Sequence, residues 1–470
     1  MIQSANFLLI VLVVFLLNQA LGARFSLRKN LLLIASYWFY MCWDWRFSGL
    51  LLLATTVNYF AGRGIAAADS PRAKKRWLAF ALTVCLGVLA YFKYANFFLE
   101  NLLALLALAG MPVDMLLLNL VLPIGISFFT FQSLSYTLDV YRGVEKPCRD
   151  FRDFALFVAF FPTLLAGPIT RARFFLPQLE VPPAPEAARA ETGLALIVRG
   201  FIKKIAFANL ISSHLVTPAF ADPGQFSPLF LLVAVYAYSF QIYMDFSGYT
   251  DIVRGVAKLL GFELMENFNR PYLAASVSNF WQRWHISMSS FFRDYLFFSL
   301  GGSKYGNVYR NLMLTFVAIG FWHGAGWNFI VYGLVHGSVV GIERWRRNRR
   351  EAAGIVLPDS GWPWLWRVVL TFHIVAFSRI LFRAADLAQA KAYVLALAGG
   401  TGQAAPFSAL GLGALLLAVA LHYTPPSWSS ASLERFRRLP VPLQAGAMVA
   451  TTYLLVAIST GAAPFVYFQF

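Results

Sequence analysis

LLVAVYAYSFQIYMDFSGYTDIVRGVAKLL, residues 231–260, carries no charge before Asp245. A run this long and apolar meets the requirement for crossing a bilayer, about 20 helical residues at roughly 1.5 Å each. Yet Tyr238, Gln241, Asp245 and Gly248 recur three or four residues apart, with Tyr249 and Asp251 close behind. On a helix that spacing makes a polar seam along one face. A carboxylate in hydrocarbon is prohibitive without partners, so Asp245 must meet a cation, accept several hydrogen bonds or face water. Two roles stay open for it, holding a buried network or lining a substrate path.

The rest of the chain has the same character. Of 470 residues, 59% are hydrophobic and 13% charged. Apolar stretches near membrane-spanning length recur from Phe7–Leu21 to Leu443–Ala457, and roughly ten to eleven such segments or half-segments are expected. The fold class is therefore an all-α polytopic membrane protein. No shift in composition marks a soluble domain, so residues 1–470 read as one integral-membrane domain. Its core motifs fall at about 120–340 and its C-terminal helices at about 360–470.

A net charge of +17 raises nucleic-acid binding as a function. The basic residues, however, sit in short groups beside apolar segments: Arg24, Arg28 and Lys29; Arg63, Arg72, Lys74, Lys75 and Arg76; Arg344, Arg346, Arg347, Arg349 and Arg350. Cytoplasmic loops of membrane proteins carry this excess, so a lipid bilayer and no nucleic acid is the expected partner. The same rule puts the N-terminus outside. The first apolar stretch has no Lys or Arg before Arg24, which lacks the positive start of a cleaved signal and reads as a retained helix. Cys42, Cys85 and Cys148 are scattered and indicate neither a disulfide framework nor a thiolate metal site.

The leading candidate for a chemical centre is His323, in Gly320-Phe321-Trp322-His323-Gly324-Ala325-Gly326-Trp327. A titratable group in a membrane segment is costly and marks function by default, and imidazole suits proton transfer near neutral pH. His336 follows thirteen residues later and shares the site only if the helix breaks between them, which Gly324, Gly326 and Gly333 allow. His214, His373 and His422 stand near segment ends without distinctive context.

Trp281–Leu296 is too polar to span lipid but is regularly patterned. Trp281, Trp284, Met288, Phe292, Tyr295 and Leu296 fall on one helical face, and Arg283, Ser287, Ser290 and Asp294 on the other. An amphipathic helix follows, either lying in the interface or tucked beneath a cavity. His285 belongs to its apolar face beside Trp281 and Phe292 and is expected to be buried, as a structural or a functional histidine.

Breaks complete the pattern. Pro123 and Gly125 open the apolar run that holds Ser127, Thr130 and Gln132, and Ala166-Gly167-Pro168 ends another. Such breaks fit helices around a non-lipid interior as well as ordinary kinks. Arg171–Glu191, with Pro177, Pro182, Pro183 and Pro185, reads as a cytoplasmic loop leading into an interfacial helix bearing Arg199, Lys203 and Lys204. Gly399–Pro406 and Pro425–Pro440 read as later breaks. Gly301-Gly302-Ser303-Lys304 reads as a turn before it reads as an anion loop. No P-loop, no G-x-S-x-G elbow and no H-E-x-x-H zinc motif occurs.

Five ordered stretches, Pro123–Gln132, Gln241–Asp251, Glu266–Tyr272 (ENFNRPY), Phe280–Asp294 (FWQRWHISMSSFFRD) and Gly320–Trp327, together resemble the membrane-bound O-acyltransferase (MBOAT) family. The likeness is greatest to its bacterial branch that serves alginate and cellulose O-acetylation and D-alanyl transfer. The resemblance implies a ring of transmembrane helices around a thin central region of short, tilted or re-entrant helices with a catalytic funnel. It aligns His323 with the family's near-invariant histidine and His285 with that of its W-H-I-S motif. It implies a cytoplasmic acetyl-CoA donor, no permanently bound cofactor, no metal, and periplasmic partner acyltransferases of the serine-hydrolase-like SGNH type.

On that basis His323 is expected to act as general base, with His285 orienting it or relaying protons. Trp322 and Trp327 are expected to shape an acyl tunnel, and Asp245, Gln241, Arg283, Ser287 and Asn267 to contribute to substrate binding. The implied function is O-acetylation of an exported polysaccharide from the bacterial inner membrane. Peptidoglycan O-acetylation, D-alanyl transfer and, from another class, a proton-coupled transporter or flippase stand as alternatives.

Overall fold

The run that carries the polar seam forms one uninterrupted helix, Pro228–Leu260, begun by a proline whose missing N–H costs nothing at a helix start. In the computed structural model residues 5–111, 113, 117–182, 187–400, 402–403 and 406–459 are described. Among them every regular element is a helix, and the isolated bridge pairs Phe226–Gln403 and Phe268–Trp284 stand in place of strands.

Five helices are long and apolar enough to cross a bilayer: Phe25–Ala67, Pro71–Leu108, Pro228–Leu260, Gly361–Arg383 and Val441–Ile458. Phe7–Ala20 and Ala409–Tyr423 are shorter apolar helices. Other expected segments are too short to span alone; Ile126–Tyr141 and Val308–His323 have 16 residues each.

The basic groups lie on helix ends more than in loops. Arg72, Lys74, Lys75 and Arg76 occupy the first turns of Pro71–Leu108, and the arginines from Arg344 to Arg350 end the helix Trp327–Ala352. Lys29 departs from the loop reading: it is buried in the helix Phe25–Asp44 and pairs with Asp153 at 2.7 Å.

Although its sequence reads as one domain, the chain groups into two compact units, residues 1–193 with 256–265 and residues 194–255 with 266–470. In the first, Gly125 adopts φ +80 and starts the buried helix Ile126–Tyr141; a Cβ there would stand 2.5 Å from the Leu164 carbonyl. The expected break thus sets a helix start. Gln132 donates to the Phe157 carbonyl at 2.5 Å, tying that helix to its neighbour. The first part of Arg171–Glu191 forms short helical turns, Ala172–Phe175 and Leu176–Leu179, with Arg171, Phe175 and Leu179 buried while Arg173, Phe174, Pro177 and Glu180 stay exposed. Pro183 and Pro185 lie outside the described residues, as do Thr401, Ala404 and Ala405 of the Gly399–Pro406 break. Pro425–Pro440 contains a helix, Pro426–Arg437.

The second unit holds the seam helix up to Gly255 and both motif histidines. Its hairpin of Val308–His323 and Trp327–Ala352 packs through glycines, because a Cβ on Gly320 would meet the Phe329 carbonyl at 2.2 Å and one on Gly333 the Phe316 carbonyl at 2.4 Å. The chain turns between the two helices at Gly324 and Gly326, both extended.

Candidate active site

Trp281–Leu296 is not one amphipathic helix. It breaks at Trp284–His285 into Val277–Arg283 and Ile286–Phe292, followed by wider π-type turns at Arg293–Phe297. His285 has φ +44, a left-handed conformation that L-residues adopt only under constraint. The constraint is visible. Asn267 accepts from the Ile286 N–H through its backbone carbonyl and from the Ser287 N–H through Oδ1, both at 3.0 Å. Asn269 N–H donates to the Arg283 carbonyl at 2.9 Å on the other side of the turn. Glu343 caps the preceding helix, taking the N–H groups of Val277 at 2.6 Å and Ser278 at 2.9 Å.

The expected burial of His285 holds, at 0% exposure. Because the helix breaks, its ring meets Phe246 at 4.7 Å and Trp322 at 5.8 Å between centroids. His323, the last residue of its helix and 4% exposed, meets Trp322 and Phe382, each at 4.9 Å. Trp322 is thus the shared neighbour of the two histidines.

His336 is drawn close, as the glycine break allowed, with Tyr332 touching both it and His323. Its nitrogens are fully engaged. The Trp281 indole donates to Nδ1 at 3.2 Å, and Ser378 Oγ, which gives its own proton to the Val375 carbonyl, lies 2.9 Å from Nε2. That pattern requires a neutral ring protonated at Nε2, which is a structural role.

Asp245 finds the cation its burial demands. Lys204 forms an ion pair with it, the two side chains being 4% and 5% exposed. Lys204 therefore lies inside the protein and not on an interfacial helix face. Asp251 takes both Arg199 and Lys203 at 2.7 Å, and Gly200 and Gly248 let the two helices approach, a Cβ on Gly200 falling 2.5 Å from the Gly248 carbonyl. Of the other predicted binding residues, Gln241 is buried on the seam. Asn267 and Ser287 build the His285 turn. Arg283 bonds Asn279 Oδ1 at 3.0 Å and the Asn269 carbonyl at 3.4 Å, and Trp327 opens its helix 53% exposed. Gly301–Lys304 is a turn, with Lys304 exposed. Among the described residues no cluster of metal-ligating side chains occurs.

Arg379 escaped the sequence reading. It lies buried in the helix Gly361–Arg383, where an arginine in an apolar span is itself a signal. It donates to the Ser239 carbonyl at 3.1 Å and to Tyr272 Oη, and its guanidinium carbon stacks 4.4 Å from the Trp284 ring. Among the described residues it forms no ion pair with a carboxylate.

Two buried imidazoles thus share Trp322 as a neighbour within an apolar helical unit, and one of them sits in a strained turn. The membrane-bound O-acyltransferase family matches residues 148–383. The chain is 42% identical over 395 residues to a probable alginate O-acetylase, AlgI, of Azotobacter vinelandii, covering 82% of this chain and 76% of that protein. It is 42% identical over 431 residues to the protein of that name from Pseudomonas aeruginosa, covering 89% and 80%. With a peptidoglycan O-acetyltransferase of Helicobacter pylori it shares 33% identity over 402 residues, covering 80% and 74%. The chain belongs to the membrane-bound O-acyltransferase family and is a multi-pass membrane acyltransferase.

Proposed function

We propose that this protein is an O-acetyltransferase of the bacterial inner membrane, with its N-terminus periplasmic. It takes acetyl groups from cytoplasmic acetyl-CoA and passes them across the membrane for O-acetylation of an exported polysaccharide, alginate or cellulose. Periplasmic SGNH-type acetyltransferases are the partners that complete the transfer. The observation that supports the reading is that buried His285 and His323 both neighbour Trp322, in a chain so similar to alginate O-acetylases.

A thioester is already activated, so the protein needs to deprotonate an acceptor hydroxyl, position it and exclude water. His323 takes the hydroxyl proton as the new C–O bond forms. The tetrahedral intermediate then expels the thiolate, which recovers that proton from the imidazolium. His285, fixed by its backbone, orients the reacting groups or relays the proton. Asp245, neutralised by Lys204, keeps the seam helix in place without adding net charge to the interior.

Purified protein in nanodiscs, given radiolabelled acetyl-CoA, should release CoA and transfer label. His323→Ala should lower that rate by about a hundredfold or more, the usual share of a general base. Full activity in His323→Ala would remove the mechanism. Intact polymer acetylation in cells carrying the variant would make the chain a scaffold for other enzymes.

A further inference from the structure

Among the described residues only two other than glycine adopt a left-handed backbone, His285 and Arg270. Such strain persists where surroundings enforce it and collects at functional sites. For Arg270, at φ +46, the enforced result is the direction of its guanidinium. Nε donates to the His422 carbonyl at 3.3 Å and Nη2 to the Tyr423 carbonyl at 2.9 Å, at the end of the helix Ala409–Tyr423. Nη1 is left without a hydrogen-bond partner, and no carboxylate pairs with Arg270, among the described residues.

His422, which Arg270 anchors, is 4% exposed, and neither ring nitrogen has a hydrogen-bond partner among the described residues. An imidazole in that state has one donor and one acceptor left to offer to a group that reaches it. Four rings wall it: Tyr243 and Tyr423 at 5.0 Å, Tyr272 at 5.1 Å and Phe240 at 6.0 Å. The charges acting on it are those of Arg270 and Lys203. Asp251 answers both Arg199 and Lys203, and Glu266, which also acts on Arg199, is paired with Arg254 at 3.0 Å, so that with Arg270 four cations face two carboxylates and the neighbourhood keeps a positive surplus. Tyr243 continues inward to Phe268 at 5.9 Å and Trp284 at 6.3 Å, and Trp284 adjoins His285. A line of aromatic rings therefore leads from the basic group to the turn that holds His285.

We propose that Arg270, Lys203, Arg199 and His422 form the seat of the thioester donor's phosphate-bearing arm. The cations take a phosphate, and the His422 ring, with one donor and one acceptor, takes an amide of the arm that leads to the thioester. The proposal rests on the acyl-donor reading above and assigns a binding role to a residue beyond the span 148–383 that matches the family. The phosphate could be presented by free CoA or by a carrier-bound phosphopantetheine.

Steady-state kinetics with acetyl-CoA, acetyl-4′-phosphopantetheine and acetyl-pantetheine tests it. Arg270→Gly removes the guanidinium while easing the backbone, since glycine accepts positive φ, and Lys203→Gln removes a cation on another helix. Both should cut the preference for acetyl-CoA over acetyl-pantetheine, read as the ratio of kcat/KM values, by about tenfold, as expected for loss of a charge-assisted hydrogen bond. His422→Phe should raise KM for all three donors. Acetyl-4′-phosphopantetheine matching acetyl-CoA would place the seat on the phosphate next to pantetheine, which CoA and a carrier share; falling to the level of acetyl-pantetheine, it would place the seat on the nucleotide phosphates of CoA. Equal losses on all donors in Arg270→Gly and Lys203→Gln, which a purely structural anchor or a bound lipid phosphate would give, overturn the seat. Wild-type protein that turns over none of the three overturns the acyl-donor reading itself.

Discussion

Arg379 lies against Trp284, its guanidinium carbon 4.4 Å from the indole ring, and so couples an apolar helix to the residue before His285. The same guanidinium bonds the Ser239 carbonyl and Tyr272 Oη, which makes it a fixed plane and not a mobile charge. Lysine keeps the charge but loses the fork and the flat stacking surface. Arg379→Lys should therefore lower kcat about tenfold, the scale of a small misplacement of reacting groups, with donor KM within about twofold. Steady-state kinetics on the purified variant decides it, and an unchanged kcat would show that Trp284 keeps its place unaided.

His285 makes an inverted stability ranking testable. In an ordinary helix or turn, alanine is more stable than glycine by up to about 1 kcal/mol. At φ +44 the order should reverse by about 1–2 kcal/mol, because alanine's Cβ crowds the carbonyl there. Both substitutions delete the same ring, so the cavity cancels in the comparison. His285→Gly should melt above His285→Ala in one detergent, with both far below wild type in acetyl transfer. Alanine melting higher would mean that the Asn267 clamp does not hold the turn as described.

The helical class, the burial of His285, the polar seam and the glycine-permitted break after His323 were all legible from residue spacing. Each depends on local pattern, and local pattern is what one sequence carries. The continuous helix over Trp281–Leu296 was misread because the periodicity survives a two-residue break, while the cause, the Asn267 clamp, comes from 18 residues upstream of His285 in a loop. Lys204 and Arg379 were missed for a related reason. The sequence showed that Asp245 needed a cation; only tertiary packing showed which. His422 gave no signal at all, since its isolation is a property of the four rings that surround it.

Lys204 and Asp245 predict strong non-additivity. Each is buried, and removing one takes from the other its ion-pair partner, at a cost of about 3–5 kcal/mol. Lys204→Met and Asp245→Leu should each lower expression and melting temperature sharply. The double variant should recover most of the loss, since an apolar pair of similar volume leaves no unpaired charge. A double variant as damaged as the sum of the two would show that the charges act separately.

Gly320 tests whether His323 depends on the approach of two helices. A methyl there would fall 2.2 Å from the Phe329 carbonyl, far inside contact distance, and the obstacle is backbone that cannot rotate away. The hairpin must open beside the turn that follows His323, shifting the imidazole relative to its neighbours. Gly320→Ala should thus reduce acetyl transfer by about tenfold or more, with a loss of stability in the range of about 1–3 kcal/mol typical of overpacking. Gly87 faces open space on the Pro71–Leu108 helix and supplies the control. Gly87→Ala should leave acetyl transfer at the wild-type level and stability unchanged or raised by up to about 1 kcal/mol, since alanine is the better helix former, and equal damage from the two substitutions would show that the Gly320 effect does not come from the hairpin contact.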